Sequence, residues 1–166
     1  MSPHHIKYLF VLMFVSYGLA AIGQAPSPYA IPYGPTISLE NAKKASAAAL
    51  AEARKNAWTM AVAIVDPDGT LVYYEKMDNT QSASAKVAVN KARSAALYKR
   101  PTKVFQDRLA SGNAGLAVLA LEGAVPVEGG IPLMIDGHIV GAIGVSGDSS
   151  DHDSICAQAG VDSIKQ

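Results

Sequence analysis

The pair Asp136-Gly137 lies between two apolar runs, Ile131 to Ile135 and His138 to Val145. Asp-Gly flanked in this way is the strongest short-range signal for a two-residue hairpin, so this part of the chain is committed to antiparallel strands. Continuous pairing from that turn predicts Ile135 opposite His138, Leu133 opposite Val140 and Ile131 opposite Ala142, with Met134/Ile139 and Pro132/Gly141 on the other face. The surrounding stretch, Pro126 to Gly147, carries six glycines. A glycine inside a strand marks close approach by another backbone or a ligand. Gly141 and Gly144 fall on different faces, so a helix, a partner subunit or a flat ligand is expected to lie flush against this ribbon. Gly129-Gly130, just before it, suits a concave turn of backbone N–H groups that would receive a carboxylate.

A second hairpin is expected upstream. Met60 to Val65 is rich in β-formers, Asp66-Pro67-Asp68-Gly69 is turn chemistry, and Leu71 to Met77 is the return strand. The first of these strands is apolar on both faces, which predicts a central strand covered on both sides. Helical patterns surround the hairpins. Ser38 is a good N-cap for a helix with Glu40 in its first turn, an alanine-rich stripe (Leu39, Ala42, Ser46, Ala49, Ala53) and a stop at Asn56. A second helix carries Val87, Lys91, Ser94, Ala95 and Tyr98 and ends at Pro101. Thr102 is placed to cap a third helix that stops at Gly112, and the segment from Asn113 to Val125 reads as either a short helix or a strand. Ser150 or Asp151 caps a last helix, with Asp153 favourable to its N-terminal dipole. Two antiparallel hairpins interleaved with helices exclude a doubly wound parallel sheet and predict an α+β fold, one antiparallel sheet with helices packed against it.

The N-terminal region reads differently. Tyr8 to Ile22 is an apolar run of fifteen residues behind a weakly basic head, His4, His5 and Lys7. That is short of the roughly 20 residues of a membrane span. Residues 1–23 read as a secretory signal, cut after Ala20 or Gly23, and the mature protein is expected to be periplasmic or secreted with no stable membrane span. Residues 24–37, with four prolines between Gln24 and Pro35, form an extended arm that Tyr29 and Tyr33 would staple to the body or to a neighbour. The remaining domain, 38–166, is large enough for one core.

Charge narrows the partners. Without Lys7 there are 13 basic and 14 acidic residues, a balance that argues against a nucleic-acid partner. Seven of the basic residues fall between Lys86 and Arg108, against one acidic residue, Asp107. That region is either a solvated face or a surface for an anionic ligand or an acidic patch on another subunit. Cys156 is the only cysteine, so no disulfide closes within the chain and stability rests on the core or on oligomerisation.

The stretch "GGIPLMIDGHIVGAIGVSG" followed by "DHDSICAQAG" resembles the GlcG/HbpS-like family, described as haem-binding or haem-degrading. The resemblance rests on Gly129, Gly130, Pro132, Gly141, Gly144, Ser146, Gly147 and Asp153, and upstream on "AIVDPDGTLVYYEKMD" and "KVAVNKARSAA". It implies a profilin-like antiparallel β-sheet flanked by α-helices, a homo-oligomer, and haem or a related tetrapyrrole as cofactor.

Haem needs an apolar slot, cations for its propionates and often an axial His, Met, Cys or Tyr. His138 and His152 are the histidines left after signal removal; each is a ligand candidate or a surface residue, and Met77 and Tyr98 are substitutes or packing residues. Lys91 would either hold a ligand carboxylate or snorkel along the sheet edge. Glu128, immediately before Gly129-Gly130, would be a catalytic acid/base or an exposed loop residue. The expected ligand-binding set is Lys91, Thr102, Gly129, Gly130, Pro132 and His138, with Glu128 catalytic and no metal-ligand spacing evident. Three functions fit: an exported oligomeric haem or tetrapyrrole binder, with or without haem degradation, an enzyme that binds or transforms a small organic acid, and a non-catalytic accessory or sensor-partner domain.

Overall fold

The computed structural model describes residues 27–165. Residues 1–23, expected to be a secretory signal, and the first residues of the arm lie outside them. Among the described residues no helix is long and apolar enough to cross a membrane.

The elements run α1 (Leu39–Lys55), β1 (Ala61–Val65), β2 (Leu71–Lys76), α2 (Ser84–Tyr98), α3 (Lys103–Ala110), a 3₁₀ helix (Asn113–Ala120), β3 (Gly130–Ile135), β4 (His138–Ser146) and α4 (Ser150–Ile164). The fold is α+β. One antiparallel sheet has the order β2-β1-β4-β3, so the two hairpins meet along β1 and β4. The 3₁₀ helix resolves the segment that the residue pattern left open between helix and strand.

β1 explains the layering. Its five residues are all buried, with Val62 and Ile64 on one face and the smaller Ala61 and Ala63, with Val65, on the other. Val62 and Ile64 join Met60, Leu50, Ile143 and Val145 in the larger core, under α1 and α4. Ala61, Ala63 and Val65 meet Ala88, Ala92, Ala95 and Ala96 of α2 on the other face. Period-two burial on both faces is what a central strand requires. The large side chains set a wide α1/α4 layer. The alanines let α2 settle close to the sheet.

The alanine stripe of α1 packs mainly against α4, where Ala42, Ala45, Ala49 and Ala53 join a core with Cys156, Ala157 and Val161. Leu39, expected in that stripe, is 52 % exposed instead. Ser38 caps α1, its hydroxyl accepting from the Asn41 N–H at 3.1 Å. Asn56 ends the helix, but the left-handed residue is Ala57. The Asn56 amide is spent instead on the Glu52 carbonyl, 2.8 Å away. α4 is capped by neither Ser150 nor Asp151; both fall inside the helix, which starts after Ser149.

The β3–β4 hairpin turns at Asp136-Gly137 with both residues at positive φ, the signature of a two-residue primed turn. Ile135 pairs with His138 and Met134 with Ile139 as expected. A bulge at Val140 then shifts the register, so Leu133 pairs with Gly141, Pro132 with Ala142, and Ile131 with Ile143 rather than Ala142. The same shift sets Gly130 opposite Gly144.

The arm accounts for the bulge. β1 pairs with β4 only from Ala142 to Ser146, which leaves the start of β4 with a free edge. Residues 32–37 take that edge through Ile139 N–H to Pro32 O, Gly34 N–H to Ile139 O, and Ile37 N–H to Val140 O, at 2.8–2.9 Å. The stapling role of the tyrosines is realised on the body of the same chain. The Tyr33 hydroxyl is 3.0 Å from the Ala96 carbonyl and 3.3 Å from that of Leu97. The Arg100 guanidinium lies 3.7 Å from the centre of the Tyr29 ring, and the Lys99 ammonium 4.1 Å from that of Tyr33.

Candidate functional site

Most of the residues singled out from the sequence converge at one end of the sheet, where α2, α3 and α4 meet β3 and β4. At its centre is Lys91, 1 % exposed. Its Nζ lies 2.6 Å from Asp153 Oδ2 and donates to the Val145 carbonyl at 3.1 Å. The ammonium therefore does not snorkel along an edge; it reaches past the end of β4 to the first turn of α4. Burial pulls the Lys91 pKa below its ordinary value and raises that of Asp153, and their mutual attraction opposes both shifts. A buried pair in this balance contributes little net stability, but removing one partner strands the other charge.

The glycine turn closes over this pair. Gly129 has φ +115°, and a Cβ there would sit 2.8 Å from the Asp153 Cβ and 3.0 Å from Lys91 Nζ. At Gly130 a Cβ would strike the Lys91 carbonyl oxygen and, at 2.7 Å, the Thr102 methyl. Thr102 does not cap α3 with its side chain. Its hydroxyl accepts from the Gly130 N–H at 3.0 Å and its own N–H donates to the Gly130 carbonyl at 2.9 Å, so it clamps the turn from both sides. Glu128 is not an exposed loop residue; it is 9 % exposed. Its N–H donates to Gln106 Oε1 at 2.8 Å, and Gln106 Nε2 lies 3.5 Å from its carboxylate.

The structure thus unites Lys91, Thr102, Glu128, Gly129 and Gly130 with Asp153 and Gln106. The bare ribbon is filled by the chain itself: a Cβ on Gly144 would collide with the Ala88 carbonyl and the Ala92 N–H of α2. His138 is elsewhere, exposed at the hairpin tip with Nδ1 2.8 Å from the Asp136 carbonyl. His152 stacks on Trp58, ring centres 3.8 Å apart. Tyr98 donates to the Glu122 carbonyl and sits edge-on to Phe105, and Met77 packs against the α1 core. Among the described residues no group of three or more His, Cys, Asp or Glu is placed to hold a metal ion.

Pro132 belongs to a different surface. With Ile131 and Met134 of β3, Tyr29 and Ile31 of the arm and Val161 of α4, it lines a cleft of about 380 Å³. Lys99, Arg100 and Lys165 contribute to the same wall. Lys165 is paired with Asp162 at 2.6 Å. Lys99 and Arg100 have no carboxylate within ion-pair distance among the described residues; they rest on the Ile31 and Tyr98 carbonyls and on the arm's rings. This apolar cleft with two cations that no carboxylate neutralises is the constellation that sequence reasoning did not assemble. Its signals were present separately, as the basic run and the two arm tyrosines, but their meeting depends on the arm's path.

Comparison with known proteins decides the family. The model of the family described as haem degrading protein HbpS-like matches residues 37–162. The chain belongs to the HbpS-like family. Protein GlcG of Escherichia coli K12 is 36% identical over 110 residues, which cover 66% of this chain and 81% of GlcG. The HbpS-like fold is shared with a double mutant of Streptomyces reticuli HbpS, at 30% identity and a TM-score of 0.73, covering 89% of this chain and 99% of that one. A solved PduOC–haem complex matches at 29% identity and a TM-score of 0.70, covering 78% and 95%. In this HbpS-like chain, the family-pattern residues Lys91, Gly129, Gly130, Gly144 and Asp153 form the internal latch, while Pro132 alone faces a cleft.

Proposed function

We propose that this chain is an exported, homo-oligomeric protein that binds haem or a related tetrapyrrole in the cleft between the arm, β3 and α4. The observation that carries the reading is the pairing, in that cleft, of apolar walls with two cations that no carboxylate neutralises. The PduOC relative, solved with haem, supports the ligand class, and the apolar run Tyr8 to Ile22 supports export. The residues fit the group. Ile31, Ile131 and Met134, apolar wall residues that are not buried, offer a surface for a flat apolar face, and Lys99 and Arg100 would take its propionates. Tyr29 and Met134 are the side chains in the wall of a type that ligates iron. When bound, haem would supply the iron's redox and ligand chemistry; the protein supplies burial, orientation and charge. The cleft wall contains no acid–base pair, and Glu128 is clamped by Gln106 outside it, so the proposal stops at binding.

Titration of the mature protein with haemin tests this. A saturable Soret shift with micromolar or tighter affinity is expected, and Lys99→Gln combined with Arg100→Gln should weaken it about tenfold or more, the scale of losing charge-assisted contacts. Weak, unsaturable binding unchanged in that variant would sink the reading. Sedimentation of the same sample reports the oligomer.

A further inference from the structure

A second groove, about 460 Å³, runs between β2 and α2 on the opposite side of the helix from the glycine seam. Its apolar surface comes from Leu71, Tyr74 and Val89, and Leu71 is 45 % exposed. Lys86, Asn90 and Arg93, all exposed, project from α2 at the same groove. Neither Lys86 nor Arg93 has a carboxylate within ion-pair distance among the described residues. Arg93 spends its Nε on the Gly69 carbonyl at 3.0 Å, which fixes the guanidinium plane and leaves its terminal nitrogens as free donors. The Tyr74 hydroxyl is sealed from water and has no hydrogen-bond partner. Its neighbour Tyr73, on the other face of β2, has found one in Glu75. Tyr74 therefore offers the groove its ring rather than its hydroxyl.

We propose that this groove is a binding site for a small aromatic monocarboxylate. The ring lies on Leu71, Tyr74 and Val89. The carboxylate takes the Arg93 fork, assisted by Asn90, while Lys86 adds field. A planar carboxylate matches a fixed guanidinium better than a spherical anion does. The volume falls within the range of small-ligand pockets, at their lower end. The site is separate from the haem cleft, which shares none of its lining residues.

The probe is 2-naphthoate, followed by calorimetry and by amide chemical shifts of the mature protein, with 2-naphthalenemethanol and acetate as controls. Saturable binding of naphthoate is expected, with shifts centred on Tyr74, Val89 and Arg93. The alcohol and acetate should each bind at least about tenfold more weakly, since each lacks one half of the recognition. Arg93→Gln should weaken naphthoate about tenfold. Arg93 also braces the Gly69 turn, so Lys86→Gln, an exposed change, serves as the independent variant, with about a threefold loss. Haemin should not compete. Equal affinity for the alcohol, indifference to both substitutions, shifts centred on Tyr29 and Arg100, or no response up to millimolar naphthoate would each overturn the proposal. The last is the outcome if a second copy of the chain fills the groove.

Discussion

Helix α2 has two flanks that meet the same sheet in opposite ways. Toward β4 it is seated on glycine and alanine, so closely that Gly144 has no room for a Cβ against the Ala88 and Ala92 backbones. Toward β2 the strand carries Leu71 and Tyr74, which hold the helix off and leave a groove. The first flank is closed by backbone contact and locked by Lys91 and Asp153. The second remains available. Side-chain size on one face of four strands therefore decides where this fold is sealed and where it is open to a ligand.

The contrast makes unequal demands on substitution. Gly144→Val should be the most severe change, because the colliding atoms are main chain and cannot rotate away. A loss above about 4 kcal/mol, or no soluble protein, is expected in urea unfolding. If Gly144→Val folded with native stability, the sealed flank would not be sealed. Lys91→Met should cost about 3–5 kcal/mol by leaving Asp153 buried without its counter-ion, and adding Asp153→Leu should restore most of it. Failure of the double variant to recover would mean that the pair does more than neutralise itself.

Cys156, on the α4 side, sharpens the comparison through pH. Burial first, and then the negative charge of Asp153, pushes its thiol from 9.0 to about 12. The unfolded chain thus ionises first. Stability associated with this group should be intact below pH 9 and fall as pH rises toward about 12, and Cys156→Ala should flatten that slope. Native protein at pH 8 should resist thiol reagents. Tyr33→Phe removes the hydroxyl that ties the arm to the Ala96 and Leu97 carbonyls and should cost about 0.5–1.5 kcal/mol. Smallest of all, Lys86→Gln on the open flank should change stability by less than about 0.5 kcal/mol while weakening naphthoate.

What could be read in advance was local. Asp136-Gly137, Asp66 to Gly69 and the Ser38 cap each act within a few residues, and each turn or cap forms where its chemistry placed it. The apolar pattern of β1 also announced a strand covered on both faces. What could not be read depends on partners distant in sequence. The Val140 bulge goes with an arm that reaches β4 from the other end of the domain. Thr102 looked like a helix cap because its alternative partner, Gly130, lies 28 residues away. Lys91 reads as an anion anchor or an edge lysine for the same reason: the residue pattern shows a cation but not the Asp153 carboxylate that meets it. The cleft at Pro132 required the arm, β3 and α4 to be brought together.

The Lys91–Asp153 contact also dictates when the domain can mature. On the ribosome the lysine emerges 62 residues before the aspartate that neutralises it. Until α4 is synthesised, closing α2 onto the sheet would trap a naked cation, so the nascent chain has reason to stay loose. Synthesis of α4, rather than hydrophobic collapse alone, then becomes the event that licenses the native state.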